Sequence, residues 1–84
     1  VAIVPGAGDD YIKNALSMGA DVFITGDIGH HDGLDAMEQG LAVIDASHYG
    51  IEKLFVPYMA EVFASRMPEL MVVKASEKEP FTVV

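Results

Sequence analysis

The stretch from Asp21 to Gly50, DVFITGDIGHHDGLDAMEQGLAVIDASHYG, decides the fold. Two short apolar runs, Asp21–Thr25 and Leu41–Ala46, lie on either side of a polar loop and a segment whose apolar residues recur at helical spacing. Such short runs are typical of strands buried in a parallel sheet, and the crossover between parallel strands is usually an α-helix. We therefore predict a strand, a helix that stops at Gly40, and a second strand.

The same alternation extends toward the amino terminus. Val1–Pro5 is another apolar run, and it leads into the tight loop Gly6–Gly8. Asp9 and Asp10 follow this loop, and aspartate commonly caps the start of a helix. The next apolar positions repeat at helical spacing up to Gly19, a residue type that can take the left-handed conformation that ends a helix.

Toward the carboxyl terminus the pattern predicts one more helix and a further strand. The helix carries a series of apolar side chains: Leu54, Phe55, Tyr58, Met59, Val62 and Phe63. Pro57 lies among them, so the regular helix is expected either to start near this proline or to bend there. Leu70–Ala75 is predicted to be a fourth strand, Ser76–Pro80 a polar turn and Phe81–Val84 a terminal extended segment.

Strands and helices thus alternate with short connections along residues 1–84, without an internal linker. This order predicts an α/β fold, with a mostly parallel sheet and helices packed on its faces. In such a sheet the loops from strand to helix all lie at the edge formed by the carboxyl ends of the strands, where ligands usually bind. The loops 6–10, 26–32 and 47–52 are expected to converge there, and they contain all three histidines.

Composition excludes several classes of function. The chain has no cysteine, which rules out disulfides and zinc–thiolate sites, so a bound metal needs histidine and carboxylate ligands. The net charge of −8 opposes binding to nucleic acids and to anionic membranes. No apolar run approaches the roughly 20 residues that span a bilayer. We expect a cytoplasmic protein with no nucleic-acid partner and no membrane partner.

The length of the chain permits one small domain or a piece of a larger one. The 84 residues begin at Val1 rather than at Met, which favours a fragment or a processed chain. Their hydrophobic content is 51%, which is high for a domain with so small an interior. Part of the apolar surface is therefore expected to meet a partner.

His48 and Glu52 are the leading candidates for a metal site. They stand four residues apart, so on one helical turn their side chains would share a face. A hydrogen bond on the helix surface is the simpler alternative, because a catalytic metal site normally takes three or more ligands from the protein. Asp27 and Asp45, at the ends of neighbouring predicted strands, could orient the imidazole or simply be solvated.

Two other patterns favour structural roles. His30 and His31 are adjacent and point in different directions unless the backbone bends, so metal binding is weighed against a capping role for Asp32 and a hydrogen-bonded loop position for His31. The Gly6–Gly8 loop could approach a phosphate, but it lacks the third glycine of that motif and places Asp9 and Asp10 where the anion would lie. We favour a plain turn with a helix cap.

Several short motifs occur in an order that resembles a known family. They are Ile24-Thr25-Gly26-Asp27, His31-Asp32, Gly40-Leu41, Ile44-Asp45-Ala46-Ser47-His48-Tyr49-Gly50-Ile51-Glu52 and Pro80-Phe81. Together they look like the carboxyl-terminal half of the Nif-three-like family, often described as GTP cyclohydrolase I type 2 homologues. The resemblance covers nearly the whole chain. It implies that residues 1–84 are a single segment, the carboxyl-terminal half of a larger Nif-three-like α/β domain.

The resemblance also implies a metal site. Members of this family hold a pair of divalent ions, and the carboxyl-terminal His and Glu ligands fall on His48 and Glu52. The other ligands, a neighbouring His pair and an Asp, belong to the amino-terminal half, so His30-His31 is not that pair. Ile51 departs from the family, which usually has Thr directly before the Glu.

Side chains behind the two ligands are expected to orient them, and the candidates for this role are Asp27, His31 and Asp45. The expected cofactors are divalent metal ions, two per complete site, with zinc, iron and manganese left open. The expected partners are the missing amino-terminal half of the same protein and further copies of it, since family members commonly form ring-shaped hexamers.

Three functions follow as hypotheses. Two ions roughly 3.5–4 Å apart could activate water and hold the attacked group, which favours a metal-dependent hydrolase acting on a nucleotide or a phosphoester, with no catalytic residue assigned. A non-catalytic metal-binding regulatory or interaction protein is the alternative, and a metal-free structural fragment is the third. Because it has two ligands, the 84-residue chain alone is expected to bind metal weakly.

Overall fold

The structure is a computed structural model that describes residues 1–82. The chain divides into two compact units, Val1–Glu52 and Lys53–Val84. The first unit contains the sheet and every candidate site residue, and the second contains one long helix.

The sheet of the first unit has three parallel strands, as the sequence predicts. They are β1 (Ala2–Ile3), β2 (Val22–Thr25) and β3 (Ala42–Asp45), in the order β1-β2-β3. Phe23 pairs with Ala2 on one side and with Val43 on the other, so these three side chains share a face of the sheet.

Four helical segments connect and follow these strands in the first unit. They are a short 3-10 helix (Asp9–Tyr11), α1 (Ile12–Ser17), α2 (His30–Glu38) and α3 (His48–Glu52). Gly19 and Gly40 adopt φ angles of 75° and 86° just beyond α1 and α2, so the predicted glycine stops are confirmed.

Helices α1 and α2 pack on the same face of the sheet. The buried side chains come from α1, β2, α2 and the start of the third strand: Ile12, Ala15, Phe23, Ala36 and Leu41. Ala2, Val4 and Val43 pack against this cluster. The α/β class is thereby confirmed, and this core fixes the carboxyl ends of the strands that carry the polar loops.

Two predicted helix caps are wrong. Asp9 and Asp10 lie within the 3-10 helix instead of capping it, and Asp9 Oδ1 accepts a hydrogen bond from the Gly29 N–H at 3.2 Å. Asp32 lies in the first turn of α2, because that helix begins at His30, directly after Gly29. The helix dipole favours a carboxylate in the first turn, so aspartate suits the first turn as well as the cap position that the sequence predicted.

The second unit contains α4 (Phe55–Arg66). Pro57 is its third residue, so the helix starts near the proline, which is one of the two predicted outcomes. A proline is tolerated in the first turn because the N–H groups there have no partner within the helix. None of the helices within residues 1–82 is long and apolar enough to cross a membrane.

The predicted fourth strand is wrong. Leu70–Ala75 has no regular secondary structure, and Met71 and Val73 are 91% and 81% exposed. A strand forms only beside a hydrogen-bonding neighbour, and residues 53–82, taken by themselves, contain no strand. Of the predicted extended segment Phe81–Val84, the first two residues are irregular and the last two lie outside the described residues.

Candidate functional site

The carboxyl ends of β2 and β3 bring together three residues that the sequence singles out. Asp27 lies two residues beyond β2, Asp45 is the last residue of β3, and His48 begins α3. Since α3 is one helical turn from His48 to Glu52, the predicted shared face of these two side chains is confirmed.

His48 lies between two carboxylates. Its Nδ1 is 3.0 Å from Asp27 Oδ2, and its Nε2 is 3.3 Å from Glu52 Oε1. The three side chains, His48, Asp27 and Glu52, are 52%, 53% and 48% exposed, so a cation in solution can reach them.

This arrangement gives the two ring nitrogens of His48 different roles. With its proton on Nδ1, the neutral imidazole donates to Asp27 and leaves a lone pair on Nε2. A metal-binding histidine usually donates the N–H of its other ring nitrogen, the one that does not bind the metal, to a carboxylate, a backbone carbonyl or a water. In this tautomer the lone pair on Nε2 and the Glu52 carboxylate are two adjacent atoms that a cation could bind; with the proton on Nε2 instead, the ring donates to Glu52, which is the simpler alternative left open by the sequence.

Asp45 links the loops on either side of it. Its Oδ1 accepts hydrogen bonds from the N–H groups of Asp27 and Ser47, both at 2.9 Å, and its Oδ2 accepts from the Ile28 N–H at 3.1 Å. Desolvation is the largest single influence on the Asp45 carboxyl and raises its pKa, but the three N–H donors together outweigh it, so the pKa is lowered from the ordinary 3.8.

Backbone strain is located in the same two loops. Asp27 and Ser47 have φ angles of 53° and 62°, and they are the non-glycine residues with positive φ within residues 1–82. The left-handed region costs an ordinary residue roughly 1–2 kcal/mol, so such residues persist only where neighbouring contacts hold them.

Gly6 brings a third loop against the site. A Cβ atom on this glycine would lie 3.5 Å from Glu52 Oε1 and 3.6 Å from His48 Nε2, and the φ angle of Gly6 is 71°. The Gly6 carbonyl accepts from the Thr25 hydroxyl at 2.8 Å and from the Gly26 N–H at 2.8 Å. The backbone of this loop therefore passes beside Nε2 of His48 and Oε1 of Glu52 without placing a side chain there.

The Thr25 hydroxyl fixes the position of this loop. It is fully buried, donates to the Gly6 carbonyl and accepts from the Gly8 N–H at 2.9 Å. Since the Gly8 amide is used in this way, the structure supports the simple turn that the sequence favours at Gly6–Gly8.

The other two histidines lie on α2. His30 and His31 occupy the first turn of α2, where their ring centroids are 5.5 Å apart at an interplanar angle of 68°. Within the described part of the chain, no hydrogen bond joins His31 to His48 or Glu52. Its predicted orienting role stays a prediction.

Sequence reasoning did not identify Gly6 and Thr25 as parts of the site. The available signal was weak, because a glycine after a strand and a threonine at the end of a strand are common. Within residues 1–82 no group of three or more His, Cys, Asp or Glu side chains has the geometry to hold a metal ion. His48 and Glu52 thus provide two atoms with lone pairs, Nε2 and Oε1, and Asp27 contacts Nδ1 of the imidazole.

Comparison with known proteins identifies the family. Residues 1–80 match the family model described as Duf34/NIF3 (NGG1p interacting factor 3). A "GTP cyclohydrolase 1 type 2 homolog" of Streptococcus pneumoniae is 45% identical over 64 residues, which are 76% of this chain and 24% of that protein. A protein of the same description from Staphylococcus aureus is 53% identical over 49 residues, which are 58% of this chain and 13% of the relative.

Solved structures give the same result. A Staphylococcus aureus protein has a TM-score of 0.75 at 34% identity, over 98% of this chain and 28% of that one. A Bacillus cereus protein related to NIF3 has a TM-score of 0.73 at 28% identity, over 98% of this chain and 24% of that one. The chain thus spans less than a third of the length of these relatives, and it belongs to the DUF34/NIF3 family.

Proposed function

We propose that this chain contributes His48 and Glu52 as two ligands of a divalent-metal site, and that the longer protein is a metal-dependent hydrolase acting on a nucleotide or a phosphoester. The observation that carries the proposal is the pair of adjacent donors, Nε2 of His48 and Oε1 of Glu52, 3.3 Å apart with the other ring nitrogen on Asp27. The remaining ligands are assigned to the amino-terminal part of the longer protein.

The donor pair fits a metal ion. Two ligand atoms that each lie about 2.0–2.2 Å from one zinc ion at a tetrahedral angle are roughly 3.3–3.5 Å apart. The observed separation of 3.3 Å matches that value. The space beside the two atoms would be narrowed by any side chain at Gly6, which is consistent with a site that needs room for a cation.

The chain's own residues bind and orient in this proposal. Glu52 adds negative charge beside the imidazole, and Asp27 keeps the His48 proton on Nδ1. When bound, a pair of divalent ions supplies an activated water and neutralises the charge of the group under attack. Zinc, iron and manganese all suit a site of imidazole and carboxylate ligands.

The hydrolase assignment rests on the relatives' description. Proteins 45% to 53% identical over the matched segment are described as GTP cyclohydrolase 1 type 2 homologs, which favours a nucleotide as the substrate. The same proposal includes a cytoplasmic location and a homo-oligomer. In each copy the amino-terminal half of the protein completes the metal site. Since this chain covers 13% and 24% of these relatives, the activity belongs to the longer protein.

A second candidate is a metal-binding protein that regulates or interacts without catalysis. The family description, NGG1p interacting factor 3, favours it because it describes an interaction rather than a reaction. Turnover separates the two candidates: metal-loaded full-length protein that hydrolyses no member of a panel of nucleotides and phosphoesters supports the interaction protein.

Metal analysis of the full-length protein tests the site itself. We expect bound divalent metal after purification without chelator, and we expect His48→Ala to lose most of it because the imidazole donor is removed. Asp35→Ala, a change of an exposed acid in α2, is the matched control and is expected to retain the metal. Equal metal content in the His48→Ala variant and in the control would show that the assignment is wrong.

A further inference from the structure

We propose that Asp45 is the positioning residue of this site, because it holds the two loops that carry Asp27 and His48 in one arrangement. This inference rests on the proposed metal site and extends it. The described hydrogen bonds of the Asp45 carboxylate go to backbone N–H groups, so its role differs from that of Asp27, which contacts the imidazole directly.

One carboxylate spans two loops. Asp27 and Ile28 belong to the loop after β2, and Ser47 belongs to the connection between β3 and α3, directly before His48. Asp45 accepts an N–H from each of these three residues, at 2.9, 3.1 and 2.9 Å. The position of Asp27 relative to His48 therefore depends on a side chain that neither loop contains.

The same hydrogen bonds hold the strained residues. Both residues that donate to Asp45 Oδ1, Asp27 and Ser47, have positive φ angles. Without that acceptor, each loop loses a contact that opposes relaxation to negative φ. Relaxation would turn the Asp27 carboxylate away from Nδ1 of His48.

The backbones of the two loops also touch. A Cβ atom on Gly26 would lie 2.6 Å from the Ser47 carbonyl oxygen and 2.9 Å from the His48 nitrogen. The loops are thus in contact without an intervening side chain, and Asp45 is the acceptor common to both. Movement of one loop would displace the other, so we infer that Asp45 controls the geometry of the imidazole.

Two substitutions separate this role from general stability. Asp45→Ala removes both acceptors. Asp45→Asn keeps one carbonyl oxygen, which can still accept from Asp27 and Ser47, but its amide group cannot accept from Ile28. Asp35→Ala in α2 is the matched control, since Asp35 is exposed and its side chain makes no hydrogen bond seen within residues 1–82.

The experiment uses the full-length protein and two measurements. Zinc affinity is measured by competition with a chelator, and the position of the His48 ring proton is read from ¹⁵N chemical shifts of metal-free protein at a pH where the ring is neutral. We expect Asp45→Ala to weaken zinc binding by about 10–100-fold and to spread the proton over both ring nitrogens, with Asp45→Asn within about 3-fold of wild type.

The outcomes are distinct. If Asp45→Ala matches Asp35→Ala in zinc affinity and keeps the proton on Nδ1, the positioning role is wrong. If Asp45→Ala does not fold, Asp45→Ser takes its place, because the shorter side chain cannot accept from Asp27, Ile28 and Ser47 together; zinc affinity and a ring proton equal to those of Asp35→Ala would then contradict the inference, and losses like those expected for Asp45→Ala would support it. If the wild-type protein binds no divalent metal, the proposed metal site is wrong, and the ring proton alone tests Asp45.

Discussion

Nδ1 of His48 lies 3.0 Å from Oδ2 of Asp27, although the two residues are 21 positions apart in the chain. The contact arises because β2 and β3 are parallel neighbours, so the residues that follow each strand meet at one edge of the sheet. It directs the imidazole so that Nε2 faces Glu52. The pairing of β2 with β3 thereby leaves Nε2, and not Nδ1, as the ring nitrogen available to a bound cation.

Removal of the Asp27 carboxylate is expected to weaken metal binding without removing a ligand. In the full-length protein, Asp27→Ala should lower the affinity for zinc by about 10–100-fold, the usual effect of losing the acceptor behind a metal-binding histidine. Asp27→Asn should lose less, because its amide oxygen can still accept from Nδ1. Chelator competition measures the affinity, and Asp35→Ala, a change of an exposed acid in α2, is the control. An Asp27→Ala variant as tight as that control would contradict the orientation argument.

Gly6 offers a prediction with a close internal control. Gly6→Ala and Gly19→Ala both place an alanine at a φ angle near 70°, which costs roughly 1–2 kcal/mol of stability in each case. The new methyl group at position 6 would lie 3.5 Å from Glu52 Oε1. A methyl group at position 19 would have no neighbour within 4 Å among the described residues.

We therefore expect the two variants of the full-length protein to lose similar amounts of unfolding free energy, as measured by urea titration. We expect weaker zinc binding in Gly6→Ala alone. Both quantities are measured on the same preparations, so a variant that is merely less stable is recognised by its unfolding curve. Equal zinc affinity in the two variants would show that the space beside His48 and Glu52 is not needed for the cation.

Much of the fold could be predicted from sequence, because local patterns specify it. The apolar runs, the glycine stops and the four-residue spacing of His48 and Glu52 each depend on neighbouring residues. The predicted strand at Leu70–Ala75 depends instead on a partner strand, and its own unit contains no strand within residues 53–82. Apolar and β-branched composition indicates what a segment can form but not whether a neighbour is present.

The site was predictable in its parts but not in its connections. Sequence placed Asp27, Asp45 and His48 at one edge of the sheet, yet it could not assign which carboxylate contacts the ring and which accepts from the backbone. That division follows from the positive φ angles of Asp27 and Ser47, which no local pattern specifies. The structure assigns the contact with the His48 ring to Asp27 and not to Asp45.

The Thr25 hydroxyl should contribute to stability and to the position of Gly6. Thr25→Val keeps the shape of the side chain but leaves the buried Gly8 N–H without an acceptor, which costs about 1–3 kcal/mol. Thr25→Ser keeps the hydroxyl and should therefore lose less stability than Thr25→Val. Urea unfolding of the full-length protein measures both. A Thr25→Val variant as stable as Thr25→Ser would contradict the role of this hydrogen bond.

Asp45 gives the protein a pH-dependent contribution to stability with a definite sign. Because its folded-state pKa lies below the ordinary value of 3.8, the ionised carboxylate favours the folded state. This contribution is fully present above pH 3.8 and is lost as the pH falls through the folded-state pKa. Asp45→Asn has no proton to gain at this position, so it isolates the effect.

We expect the difference in unfolding free energy between wild type and Asp45→Asn to be constant from about pH 7 to pH 5 and to shrink below about pH 4. Urea titrations of the two full-length proteins at each pH measure it, and Asp35→Asn corrects for the general loss of a negative charge. A difference that grows as the pH falls would mean that burial, which raises the pKa, outweighs the N–H groups of Ser47, Asp27 and Ile28.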